Sequence, residues 1–147
     1  MHRLVIIGII LSLIYYEITE ISPGGVIVPG YIAIYINQPA RIISTILISL
    51  FTALLVSWLS NHVILYGRRR FGLTVVISYI INMMISNILK ISPLTSIGFA
   101  TAIGYIIPGI MAQDIYRQGL LKTLSSMMVV ASMIKLVNIL LDYGALI

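Results

Sequence analysis

Gly25–Ala33 reads GVIVPGYIA, and Gly104–Ala112 reads GYIIPGIMA. The two stretches agree at Gly25/Gly104, Ile27/Ile106, Pro29/Pro108, Gly30/Gly109 and Ala33/Ala112, five of nine positions. The tripeptide Ile-Ser-Pro precedes both, as Ile21-Ser22-Pro23 and Ile91-Ser92-Pro93. A polar break follows both, Asn37-Gln38-Pro39 and Arg117-Gln118-Gly119. Isoleucine matches arise by chance in a chain this apolar, but ordered proline and glycine matches do not. The pattern reads as an internal duplication, with repeats of about 4–66 and 73–142 in a single domain spanning 1–147.

Physically the repeated unit is a helix breaker. Proline lacks the backbone N–H and clashes with the preceding turn, and the adjacent glycine loosens the chain further. Inside hydrocarbon every backbone polar group must be satisfied by the protein, so irregular backbone survives only where it is buried or lines a wet cavity. Paired breaks in corresponding halves therefore point to a binding site at Pro29, Gly30, Pro108 and Gly109. A helix kink filled by neighbouring side chains is the alternative.

Composition sets the environment. Of 147 residues, 60% are hydrophobic and 9% charged, and mean hydropathy is +1.10. Globular domains carry about a quarter charged residues. The chain reads as a multi-pass protein of the plasma membrane, with the lipid bilayer as its first partner. The net charge of +5 falls between apolar spans, where it suits headgroups, orientation or an acidic substrate rather than nucleic acid. There is no cysteine. The start, His2-Arg3 then Leu4–Tyr16, resembles a signal peptide but lacks a small-residue cleavage site, so it reads as the first helix.

Further spans are expected at Ile42–Leu65, Leu73–Leu89 and Leu120–Leu141. The first of these would reach about 36 Å as a helix. Pro23–Ile36 is short for a straight crossing, which favours a re-entrant pair of half-helices meeting at Pro29-Gly30. Pro93–Ala112, with its small Gly98, Ala100 and Ala102, is the second such segment. The expected fold is thus an all-α integral membrane protein. It has four crossing helices if the broken segments turn back, and six if they span. The positive-inside rule favours four, with Arg3, Arg68-Arg69-Arg70 and the C-terminus together in the cytoplasm.

Charged groups near these spans are candidate site residues. Glu17 lies at the end of the first span, where an interfacial carboxylate is the other reading. Arg41, Arg117 and Lys122 follow the broken segments, and Asp114 and Gln118 complete a polar patch over Gln113–Lys122. Lys135 sits deep in the last span and calls for a partner such as Glu17 or a wet cavity. His62 stands alone, so no metal site is expected. No phosphate loop, dinucleotide fingerprint, His-Glu-x-x-His or Ser-His-Asp set is present. No catalytic residue or cofactor is expected in this chain.

Val28-Pro29-Gly30-Tyr31, Asn37-Gln38-Pro39, Ile64-Leu65-Tyr66-Gly67-Arg68-Arg69-Arg70-Phe71 and Ile107-Pro108-Gly109 followed by Gln118-Gly119-Leu120 are similar to the poly-gamma-glutamate (capsule) biosynthesis protein C family. The resemblance implies a membrane subunit, non-catalytic alone, of a machine that polymerises glutamate through its gamma-carboxyl and exports the polymer. Its implied partners are a cytoplasmic ATP-dependent amide ligase, which would hold the ATP and Mg, a membrane-anchored extracellular subunit and a small accessory peptide. On this reading Arg68, Arg69 and Arg70 dock the ligase, and Arg41, Arg117 and Lys122 line a path for polyglutamate, steadied by Glu17 and Asp114. A stand-alone dimeric transporter for an ion or organic anion, or a purely structural anchor, are the rival readings.

Overall fold

The structure, a computed structural model, describes residues 2–61, 67–91 and 103–144, with the backbone alone for residues 2 and 88–91. Ser92-Pro93 of the second tripeptide, His62, Tyr66 and the small residues of 94–102 lie outside the described residues, as does the Lys90 side chain. Six helices follow in order: α1 His2–Thr19, α2 Val28–Ile34, α3 Pro39–Ser60, α4 Arg68–Ile91, α5 Ile107–Gln118 and α6 Leu120–Gly144. There is no strand among the described residues. Two of the helices, α3 and α6, are long and apolar enough to cross a membrane.

The Pro-Gly dipeptides do not interrupt helices; they begin them. Pro29 and Pro108 occupy the first turns of α2 and α5, where the missing N–H is not needed and the fixed φ already suits a helix. Ile27 and Ile106 precede them with nearly equal dihedrals, φ −93° and ψ −30° against φ −93° and ψ −32°. Before α2 the chain is non-helical, and Gly24 and Gly25 supply φ values of 80° and 102° that a side chain would strain.

This corrects the expectation of re-entrant half-helices. Residues 20–34 run back along the whole of α1: Ser22 meets Gln118 and Ser126 at one end, and Gly30 lies against Leu4 and Val5 near the other. The return stretch is only partly helical: residues 23–27 are a run of bends with Gly24 and Gly25 at positive φ, and α2 supplies its last seven residues.

In the second half, α5 runs antiparallel along α4. Asn82 Nδ2 donates to the Gly104 carbonyl at 3.0 Å, Gly109 faces Val75 and Ser78, and Arg70 reaches Tyr116. Arg68–Arg70 consequently sit at the end of the bundle opposite Arg3, which shares its cleft with Asn138 and Asp142. The expected common side for Arg3 and the arginine run is not what the helices produce.

Each short helix rests on the first long helix of its own half and the last of the other: α2 on α1 and α6, α5 on α4 and α3. Between them lies an apolar core of Val28, Ile32, Ile103, Ile107, Met111 and Met127. The two Pro-Gly turns therefore frame a dry centre, not the polar path expected between them. Burial of these side chains, at roughly 25 cal/mol per Å² of apolar surface, holds the short helices where their own length could not.

The non-helical segment is held by polar groups. Ser22 N–H donates to Gln118 Oε1 at 3.0 Å, Gln118 Nε2 donates to the Ser22 carbonyl, and Ser22 Oγ donates to Asp114 Oδ2. Gly25 N–H in turn donates to Ser22 Oγ at 3.3 Å.

Gly8→Ala should destabilise the bundle by about 1–3 kcal/mol, because its methyl would lie 2.6 Å from the Gly30 Cα. Gly72→Ala, with nothing within 4 Å, should leave thermal unfolding in detergent unchanged or raise it. Gln118→Leu removes two of the bonds at Ser22, so hydrogen exchange over 20–27 should rise about tenfold with exchange in α3 unchanged.

A cationic cleft between α4 and α5

At the end of the bundle where α4 begins and α5 finishes, a cleft of about 700 Å³ opens. Three pieces of chain build it. The non-helical segment gives Ser22 and Gly25, the first turn of α4 gives Arg68, Arg70 and Phe71, and α5 gives Ile110, Gln113, Asp114 and Arg117. On α5 the spacing of Ile110, Gln113, Asp114 and Arg117 puts them on one face.

Arg70 is held flat against the cleft wall. Its guanidinium carbon lies 3.2 Å from the centre of the Tyr116 ring, a cation–π contact strengthened where water is excluded. Its Nε and Nη2 are buried and have no hydrogen-bond partner. Both nitrogens are covered, not open to the cleft, so an acceptor reaches them only if the side chain moves off the Tyr116 ring. Arg68 and Arg117 are exposed around it.

Asp114 contributes the only carboxylate among the lining residues, and it is 7% exposed. It accepts a hydrogen bond from Ser22 Oγ, so it is engaged in holding the non-helical segment. Three arginines against one aspartate leave the lining at +3 − 1 = +2. The first turn of α4, with its free N–H groups, adds further positive potential. Planar guanidinium groups bind carboxylates with two parallel hydrogen bonds, and that is the chemistry this lining can perform. Among the described residues no group of three His, Asp or Glu side chains could hold a metal ion.

The candidate residues thus separate. Arg68, Arg70, Asp114 and Arg117 come together in the cleft, and Gln118 stands behind them as the clamp on Ser22. Arg69 is exposed beside the cleft, and Lys122 is exposed on the first turn of α6. Arg41 is remote from the cleft, in the first turn of α3 with its guanidinium 5.2 Å over the Tyr35 ring. Glu17 is exposed near the end of α1.

Glu17 cannot be the partner of Lys135. The neighbouring Ile134 packs at Gly8, and Glu17 lies nine residues further along α1, about 13 Å away along the helix. Pro29, Gly30, Pro108 and Gly109 are buried packing residues and do not line the cleft. Sequence reasoning missed Ser22, Gln113 and Tyr116 as site residues. The repeated Ile-Ser-Pro held a signal for Ser22, and the polar patch held one for Gln113.

Residues 7–124 match the family described as Capsule biosynthesis CapC. The PGA biosynthesis protein CapC of Bacillus subtilis (strain 168) is 39% identical over 122 residues, covering 82% of this chain and 81% of the relative. The capsule biosynthesis protein CapC of Bacillus anthracis is 37% identical over 122 residues, with the same coverage of 82% and 81%. No solved structure matches the chain. With a family match over most of its length and relatives of this similarity, the chain belongs to the capsule biosynthesis CapC family.

Proposed function

We propose that this chain is a multi-pass membrane subunit of the machinery that makes and exports poly-gamma-glutamate, and that its arginine cleft holds carboxylates of the polymer. The observation that carries the cleft's role is the convergence of Arg68, Arg70 and Arg117 on one lining whose single carboxylate is engaged by Ser22. Polyglutamate offers one carboxylate per unit to such a lining. ATP and Mg would belong to a partner amide ligase, with a membrane-anchored extracellular subunit and a small accessory peptide completing the assembly.

The membrane reading is supported by the exposed apolar faces. Ile6, Ile10 and Leu13 on α1, Leu47, Phe51 and Leu54 on α3, and Leu136, Ile139 and Leu140 on α6 are each 45% exposed or more. We read all six segments as crossings and the two halves as a duplicated unit about a twofold axis. Arg68, Arg69, Arg70, Arg117 and Lys122 then share one end, against Arg3 and Arg41 at the other. Under the positive-inside rule the cleft end faces the cytoplasm, where a ligase would deliver polymer and where exposed Arg68 and Arg69 could dock it.

Two measurements test this reading. The chain has no cysteine of its own, so Asn61→Cys marks the cleft end and Gly144→Cys the other. In intact cells an impermeant thiol reagent should label Gly144→Cys and spare Asn61→Cys; labelling of both would remove the six-crossing arrangement. In a polymer-producing strain, Arg117→Gln should lower polymer output about tenfold, the loss expected for one charge-assisted hydrogen bond, while Arg3→Gln leaves it unchanged. Arg117→Lys should recover part, since lysine lacks the bidentate fork. Normal polymer from Arg117→Gln at equal protein level would exclude this residue from the path.

A further inference from the structure

The face that α4 turns toward α5 carries Arg70, Thr74, Ser78, Asn82 and Ser86, a polar residue at every fourth position. From Arg70 to Ser86 this file is about 24 Å long. Thr74, Ser78, Asn82 and Ser86 are 1%, 0%, 2% and 5% exposed, so none of them is polar for the sake of solvent outside the bundle. Thr74 and Asn82 have partners: Thr74 Oγ1 donates to the Arg70 carbonyl at 2.8 Å and Asn82 Nδ2 to the Gly104 carbonyl. Ser78 Oγ and Ser86 Oγ have none.

That is unusual for this protein. Thr45, Thr52 and Ser126 each return their hydroxyl to the carbonyl one turn earlier, at 2.7 Å. Opposite the file, Thr45 Oγ1 of α3 accepts from the Ile103 N–H at 2.9 Å, which ties α3 to the non-helical backbone before α5. One turn beyond Thr45, Arg41 buries an Nε that also lacks a partner.

Close packing does not demand this polarity. The other short helix makes the same backbone approach, with Gly30 on Leu4, Val5 and Gly8 of α1. There the fourfold file is Leu4, Gly8, Ser12 and exposed Tyr16, with one buried hydroxyl in place of four buried polar side chains. The α4 file therefore has a reason other than helix contact.

Resting on the reading of the cleft above, we propose that the seam between α3, α4 and α5 continues the cleft through the bundle as a hydrophilic route for an anionic amide chain. Hydroxyl and amide side chains exchange hydrogen bonds with the amide groups of the chain, while the arginines at the two ends take its carboxylates and repel cations. The seam is closed in this structure, with Ser78 packed against Gly109 of α5.

The test uses Ser78→Ala/Ser86→Ala in the full complex of a producing strain. Removing two unpartnered hydroxyls should leave protein level and detergent unfolding unchanged or improved, with partner co-purification intact. Exported polymer should nevertheless fall about threefold to tenfold, the equivalent of one lost hydrogen bond to the passing chain. Ser12→Ala, which removes an equally buried unpartnered hydroxyl outside the seam, should export normally.

Normal export from the double variant, or an equal loss from Ser12→Ala, overturns the route. Normal export beside reduced output from Arg117→Gln overturns the seam alone, whereas normal polymer from cells lacking the chain overturns the reading of the cleft. If the double variant fails to accumulate, Ser78→Cys decides. A small water-soluble thiol reagent should modify it and not Ser12→Cys, and equal inertness of the two overturns the route.

Discussion

Two backbone approaches hold the bundle together, Gly30 against α1 and Gly109 against α4. A methyl on Gly109 would stand 2.9 Å from the Val75 Cα, and one on Gly30 would stand 3.3 Å from the Val5 Cα. At those separations only glycine lets a short helix lie against a long one without displacement. Helices of 7 and 12 residues are too short to be stable alone, so their position depends on this contact and on the apolar core behind it. The non-helical stretches before them, the clamp on Ser22 and the cleft all follow from where α2 and α5 are seated.

The helical character of the chain could be read from composition alone, and the placement of two apolar spans agrees with α3 and α6. The direction of the broken segments could not. Proline next to glycine signals an end of helix without saying which end, and the reading chose the middle of a hairpin where the structure has the start of a helix. That choice favoured four crossings over six, and with them a common side for Arg3 and the arginine run, which stand at opposite ends of the bundle. The dihedral economy of proline at a first turn held the clue, since Val28 and Ile107 are followed at once by regular helix.

Site residues were legible where charge density carried the signal. Arg68, Arg70, Asp114 and Arg117 stand out in a chain with so few charges, and they converge. What a linear reading could not supply was their separation in chemistry. Arg70 and Arg69 are neighbours, yet one stacks on Tyr116 with its Nε and Nη2 buried and the other is exposed. That difference arises from the 100° between successive helical residues, combined with the antiparallel course of α5. Arg41 illustrates the converse: its sequence position after a broken segment suggested equivalence with Arg117, but it stacks on Tyr35 at another part of the bundle.

Asp114 gives the cleft its character. An anion site built for tight capture would exclude a carboxylate, because like charges at about 4 Å repel by about 4 kcal/mol at the effective dielectric near a protein surface. A path has the opposite requirement: each bound group must also leave, so binding must remain weak or divided over several sites. One aspartate among three arginines moderates the field without neutralising it. The same carboxylate ties the lining to the backbone, since it accepts from Ser22 Oγ in the non-helical stretch between α1 and α2.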